Sequence, residues 1–146
     1  MKKGFTLIEL LIVITVISIL IGIALPRFKG MQDEGNIAKA KAELRTLQTA
    51  VESYYIHNSN TYPSALSSLT SATPNIIGST LPTDPFNGTN NYGVATDGAS
   101  PVKYYVLYSV GPGANGSAAV STAGVVTETN GSSCIYVSNA GQDTTP

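Results

Sequence analysis

The run Phe5–Leu25 is almost entirely apolar, broken only by Thr6, Glu9, Thr15, Ser18 and Gly22, and it constrains this chain more than any other feature. As a helix at about 1.5 Å per residue it measures roughly 30 Å, the thickness of a bilayer's hydrocarbon core. A secretory signal peptide has a shorter apolar core followed by a small-x-small cleavage site. Here the run ends in Ala24-Leu25-Pro26-Arg27, which offers no such site, so a retained membrane helix is expected. Lys2 and Lys3 precede it and a long polar region follows, which predicts a cytoplasmic N-terminus.

Glu9 is the anomaly, because a carboxylate inside an apolar membrane helix is costly unless something meets it. One reading places it near enough to the helix start to reach headgroups and favour the positive helix end. The other supplies a specific cation. Cleavage between Gly4 and Phe5 would create an α-amine on Phe5, and a neighbouring helix displaced along its axis would bring that amine to Glu9.

The segment Lys2-Lys3-Gly4-Phe5-Thr6-Leu7-Ile8-Glu9, followed by the apolar run, resembles the N-terminus of type IV pilins and the related pseudopilins. The resemblance implies that a prepilin peptidase cuts after Gly4 and methylates Phe5. It also implies that Glu9 neutralises the Phe5 amine of an adjacent subunit in a homopolymer, built by an inner-membrane assembly platform with minor pilins or pseudopilins. Leader 1–4 would be lost and the apolar half, 5–25, would sit in membrane lipid before assembly. The globular part would lie in the periplasm, and the subunit would pass into a periplasmic or surface filament. Gly22 and Pro26 match a Gly/Pro pair near which helices of this family partly unwind. From the residues alone, Pro26 marks either a kink or a helix boundary.

Helical periodicity continues beyond Pro26. Ile37, Ala40, Leu44, Leu47, Val51 and Tyr54 recur every three or four residues, while Lys39, Lys41, Glu43, Arg45 and Glu52 mostly take the other faces. One helix from Phe5 to about Tyr55 would be roughly 75 Å long, its amphipathic half (26–57) packing on a globular β-sheet region (58–146). The expected class is α+β, a lollipop with a filament-forming stem. Leu66 and Leu69 suggest a short helical turn, and Lys103–Val110 reads as a strand stopped by Gly111-Pro112-Gly113. Gly124–Thr129 and Ser132–Val137 flank Asn130-Gly131 and read as a hairpin.

Asp84-Pro85-Phe86-Asn87-Gly88 with Tyr92, then Leu107-Tyr108-Ser109-Val110-Gly111-Pro112, is similar to the core of type II secretion major pseudopilins of the G type. The resemblance implies a subunit whose filament growth drives protein export; the alternative is a surface pilin for adhesion, motility or DNA uptake. In that group the loop after the Tyr-Ser strand carries calcium-binding aspartates. Here Gly111–Ser117 holds no acid, so no metal is expected, and a residual site would depend on Asn115, Ser117 and a distant Asp84 or Asp97.

Other chemistry is sparse. The formal charge is −1, and beyond Ser53 the only cation is Lys103, so direct nucleic-acid binding is not expected. The lone Cys134 excludes an intrachain disulfide and a cysteine-based zinc site, and its apolar setting suggests a buried strand residue. His57 sits among polar residues at a helix end. No catalytic constellation is present, so an enzyme is the weakest class. A membrane-tethered binding module that never polymerises would need no Gly4–Phe5 cleavage point.

Overall fold

The computed structural model describes residues 4–78, 80–129 and 134–141. Its elements are α1 (Leu7–His57), α2 (Ser68–Ser71), β1 (Gly93–Thr96), β2 (Tyr105–Ser109), β3 (Ser117–Val120), β4 (Val126–Thr129) and β5 (Ile135–Ser138). The chain divides into two compact units, Met1–Gly35 and Asn36–Pro146.

The first unit holds the apolar part of α1, long and apolar enough to cross a membrane. Its side chains stay uncovered: Ile8 is 66% exposed and Leu20 61%. The helix runs through Pro26, so Pro26 is not a helix boundary. Proline has no N–H, which leaves the Gly22 carbonyl without its usual donor four residues on. Gly22 is therefore the residue whose carbonyl must accommodate the missing bond.

In the second unit, burial at a 3.6-residue period along α1 meets sheet residues that alternate between two faces. Ala40, Leu44, Leu47 and Val51 are buried along α1, with Ile37 and Tyr54 packed beside them as their spacing predicts. Full burial of a leucine is worth about 2 kcal/mol, so Leu44 and Leu47 are major anchors of the helix. They pack against an antiparallel sheet of order β1-β2-β5. Alternate residues of that sheet, Tyr105 and Leu107 on β2 with Ile135 and Val137 on β5, face the helix. The intervening Val106 and Tyr136 face away and meet Ala118 and Val120 of the β3–β4 pair. Leu66 and Leu69 close the core beside α2.

The expected hairpin around Asn130-Gly131 is not the pairing adopted. β4 pairs back onto β3, and β5 pairs with the central β2. Asn130 and Gly131 lie outside the described residues. The tight turn instead falls at Ser121–Val125, where Gly124 has φ 75° and the Ser121 amide donates to the Val125 carbonyl at 3.0 Å. Burial explains the exchange. All four β5 residues are buried, which suits a strand beside the central one, whereas Thr127, Glu128 and Thr129 of β4 are exposed.

Gly93 stands directly opposite Tyr108 in the β1–β2 register. A Cβ at Gly93 would overlap the hydroxyl-bearing end of the Tyr108 ring, so alanine there must displace the tyrosine. Gly93→Ala is expected to cost about 1–3 kcal/mol, read as a lower urea midpoint for the full chain in detergent.

Candidate functional site

The membrane end of α1 begins with a reciprocal cap. Thr6 precedes the first helical residue, and its amide and hydroxyl both donate to Glu9 Oε2, at 2.8 and 2.6 Å. The Glu9 amide returns a longer bond to Thr6 Oγ1 at 3.3 Å. This is a capping box, with the acid at the third helical position satisfying donors that the first turn leaves open. It supports the local reading of Glu9, and Thr6 is the participant that the sequence reading passed over. The signal was present, since Thr-x-x-Glu ahead of an apolar run is the sequence form of this cap.

The cap holds only one carboxylate oxygen. Oε1 receives no hydrogen bond among the described residues, and Glu9 is fully exposed in the single chain. Thr6 thus fixes the carboxylate in orientation while one oxygen stays open to a cation. Phe5 is 78% exposed in the single chain and Gly4 is likewise exposed, so no other part of the described chain covers the bond between them.

The second unit carries polar clusters of another kind, and they hold the fold together. Asp84 is buried, and its carboxylate accepts from the Phe86 amide (3.0 Å), Ser109 Oγ (2.8 Å) and the Val110 amide (2.9 Å). Ser109 Oγ in turn accepts from the Gly111 amide at 3.1 Å. One side chain thereby ties the Asp84–Gly88 turn to the end of β2. Asp97 does similar work, accepting from the amides of Ala99, Lys103 and Tyr104. Asp84 and Asp97, the aspartates on which a residual cation site would depend, spend both oxygens on protein donors.

Glu43 and Glu52 correct an expectation. They read as members of the charged outer faces of α1, yet they bridge to the sheet and its approach. Tyr92 donates to Glu43 at 2.6 Å; Tyr105 and Tyr62 donate to Glu52 at 2.7 and 3.1 Å. Burial, then the adjacent carboxylate, pushes the Tyr92 and Tyr105 hydroxyls far above the usual tyrosine range. Tyr62 also stacks on Tyr55 and meets Tyr105 at a tilt, at centroid distances of 4.4 and 4.7 Å. No spacing rule along one helix announces a tyrosine arriving from a distant strand.

His57 is exposed, with Nδ1 2.8 Å from the Ser53 carbonyl oxygen of the last turn. Cys134 is buried just before β5, and burial pushes its thiol up to about 11. A groove of about 300 Å³ beside α1 is lined by Leu47, Ile77, Leu81 and Pro82, with Glu43 at its edge already held by Tyr92. Among the described residues no group of three His, Cys, Asp or Glu side chains converges.

Two family models match successive parts of the chain. Residues 1–25 match the model of the prokaryotic N-terminal methylation motif, and residues 27–127 match that of type II secretion system (T2SS), protein G. A fimbrial protein of Pseudomonas aeruginosa is 39% identical over 64 residues, covering 44% of this chain and 42% of its own length. A type IV major pilin protein PilA of Myxococcus xanthus is 45% identical over 54 residues, 37% of this chain and 24% of the relative. The type II secretion system core protein G of Pectobacterium carotovorum is 32% identical over 63 residues, 43% of this chain and 40% of the relative. The chain thus spans less than half the length of the curated relatives it matches. No solved structure matches.

Proposed function

This chain belongs to the type II secretion system protein G family, and from that premise we propose that it is the major subunit of a periplasmic pseudopilus whose growth drives protein export. It is a type IV pilin-like structural subunit, and the families it matches are not those of enzymes. The observation that carries the finer proposal is the match over residues 27–127, which spans the amphipathic half of α1 and most of the sheet region.

The work is mechanical. Subunits wait in the inner membrane with the N-terminus in the cytoplasm and the second unit in the periplasm. A prepilin peptidase removes residues 1–4 and methylates Phe5. An assembly platform, with minor pseudopilins, adds subunits at the filament base as Glu9 of one meets the Phe5 amine of the next. The charge pair offsets the cost of holding a carboxylate among apolar helices. A second reading, a surface pilin, is favoured by the relatives named as fimbrial proteins and pilins.

Gly4→Leu tests the processing step. The expected product keeps its leader, detected as a heavier intact mass, and stays in the membrane fraction. Normal processing of that variant would remove Gly4 from the proposal. Shearing separates the two readings: a surface pilus is released from whole cells, whereas a periplasmic pseudopilus is retained.

We also infer that folding needs no calcium. The Gly111–Ser117 loop offers no carboxylate, and Asp84 and Asp97 are held by the chain's own amides and Ser109. Excess EGTA is expected to leave the melting temperature of the full chain in detergent unchanged. A fall on chelation, reversed by calcium, would overturn this.

A further inference from the structure

We infer that Arg27 and Glu34 form a second charge pair between neighbouring copies of this chain, in the axial register that pairs Glu9 with Phe5. This inference rests on the pairing of Glu9 and Phe5 proposed above.

Over residues 7–35 of α1 the charged side chains are Glu9, Arg27, Lys29, Asp33 and Glu34. Lys29 and Asp33 stand four apart and can serve each other on one helix surface. Arg27 and Glu34 have no such recourse. Three and four residues from Arg27 lie Ile23, Ala24, Gly30 and Met31; around Glu34 they are Gly30, Met31, Ile37 and Ala38. Both charges are exposed, and the ion pair found among the described residues is Lys39–Glu43. Arg27 and Glu34 are seven residues apart, which on one helix is about 10.5 Å of rise. That is too far for a direct bond within the chain.

The two charges nevertheless share a face with Glu9. Arg27 follows Glu9 by eighteen residues and Glu34 follows it by twenty-five. At about 3.6 residues per turn these are close to five and seven whole turns. Val13, Val16 and Leu20 lie on the same face, all about half exposed or more.

Two parallel copies that bring Phe5 of one level with Glu9 of the other are displaced by four residues, about 6 Å. The same displacement brings the upper copy's Arg27 level with residue 31 of the lower. It is then three residues, about 4.5 Å, from the level of Glu34, a gap that an arginine side chain spans. The upper copy's Gly30 comes level with Glu34 and carries no side chain to obstruct it. Displacement in the opposite sense would leave eleven residues, about 16 Å, between the charges. One copy therefore presents two carboxylates, Glu9 and Glu34, and its upper neighbour presents two cations, the Phe5 amine and Arg27. The arginine–carboxylate pair lies beyond the membrane run, and it selects one direction of stagger.

The test is charge exchange, in cells that assemble the full chain. Arg27→Glu and Glu34→Arg are each expected to lower the ratio of filament to membrane subunit roughly tenfold, because each sets like charges face to face. The double variant is expected to recover to within roughly twofold of the parent. Mass spectrometry of the Phe5 peptide in membranes checks that each variant is still processed. If Glu9→Ala blocks assembly but the exchanged pair does not recover, or the single variants assemble normally, this inference falls alone. Loss with Arg27→Glu only would assign Arg27 to lipid phosphate and overturn the pair. If Glu9→Ala assembles normally, the underlying register falls and this inference with it.

Discussion

Glu9→Ala is expected to insert in the membrane and be processed to Phe5, yet yield no filaments. The carboxylate has two roles that one substitution removes together: it caps the first turn through Thr6, and it faces a neighbour's amine. Glu9→Gln separates them. A glutamine at the third helical position still serves a capping box, since its side-chain oxygen accepts the same bonds. It carries no charge. Glu9→Gln is expected to fail in assembly as alanine does while keeping the helix start intact. Filaments at the parental level from Glu9→Gln would assign Glu9 to capping alone. Subunit in the membrane fraction and subunit in filaments are the two quantities to compare.

Asp84→Ala is expected to be the most damaging single change in the second unit. It strips the partner from two backbone amides and a hydroxyl where Asp84 itself is only 1% exposed. Each buried donor left unmade costs about 1–3 kcal/mol, so a loss of about 3–5 kcal/mol is expected. Domains of this kind have about 5–15 kcal/mol in total, so the variant should be scarce in cells and unfold at much lower urea. Asp84→Asn should recover part of the loss, because one oxygen remains to accept while the amide meets another donor. An unfolding midpoint for Asp84→Ala equal to the parent's would contradict the role given to this clamp.

The helical part of this fold was legible because its signals are local. Ala40, Leu44, Leu47 and Val51 are buried where a 3.6-residue period puts them, and the apolar run declares its length in residues. β2 was legible for the same reason, as a short run of tyrosine, valine and leucine that the fold buries on both faces. The sheet partners were not. β3 reads Ser-Ala-Ala-Val and β1 reads Gly-Val-Ala-Thr, with small residues of weak strand preference. Their places depend on partners distant in sequence, such as Gly93 lying beneath Tyr108. The Asn-Gly turn signal then drew β4 and β5 together, although the burial of β5 on both faces calls for a central neighbour.

The candidate site divides along similar lines. Gly4, Phe5 and Glu9 stand out by type and spacing, and the cap through Thr6 follows from the same short segment. The Glu43–Tyr92 and Glu52–Tyr105 bonds join residues about fifty positions apart, and no sequence rule for a helix surface reveals them. Asp84 appeared as a turn former; only the return of β2 past the turn shows what its carboxylate holds.

The most direct test of the central claim, that this chain is a processed subunit which assembles through its N-terminus, is the mass of the N-terminal peptide from isolated filaments. The expected peptide begins at Phe5 and carries an added methyl group on its amine. Filaments whose subunits still begin at Met1 would contradict it, because no Phe5 amine would exist to meet Glu9.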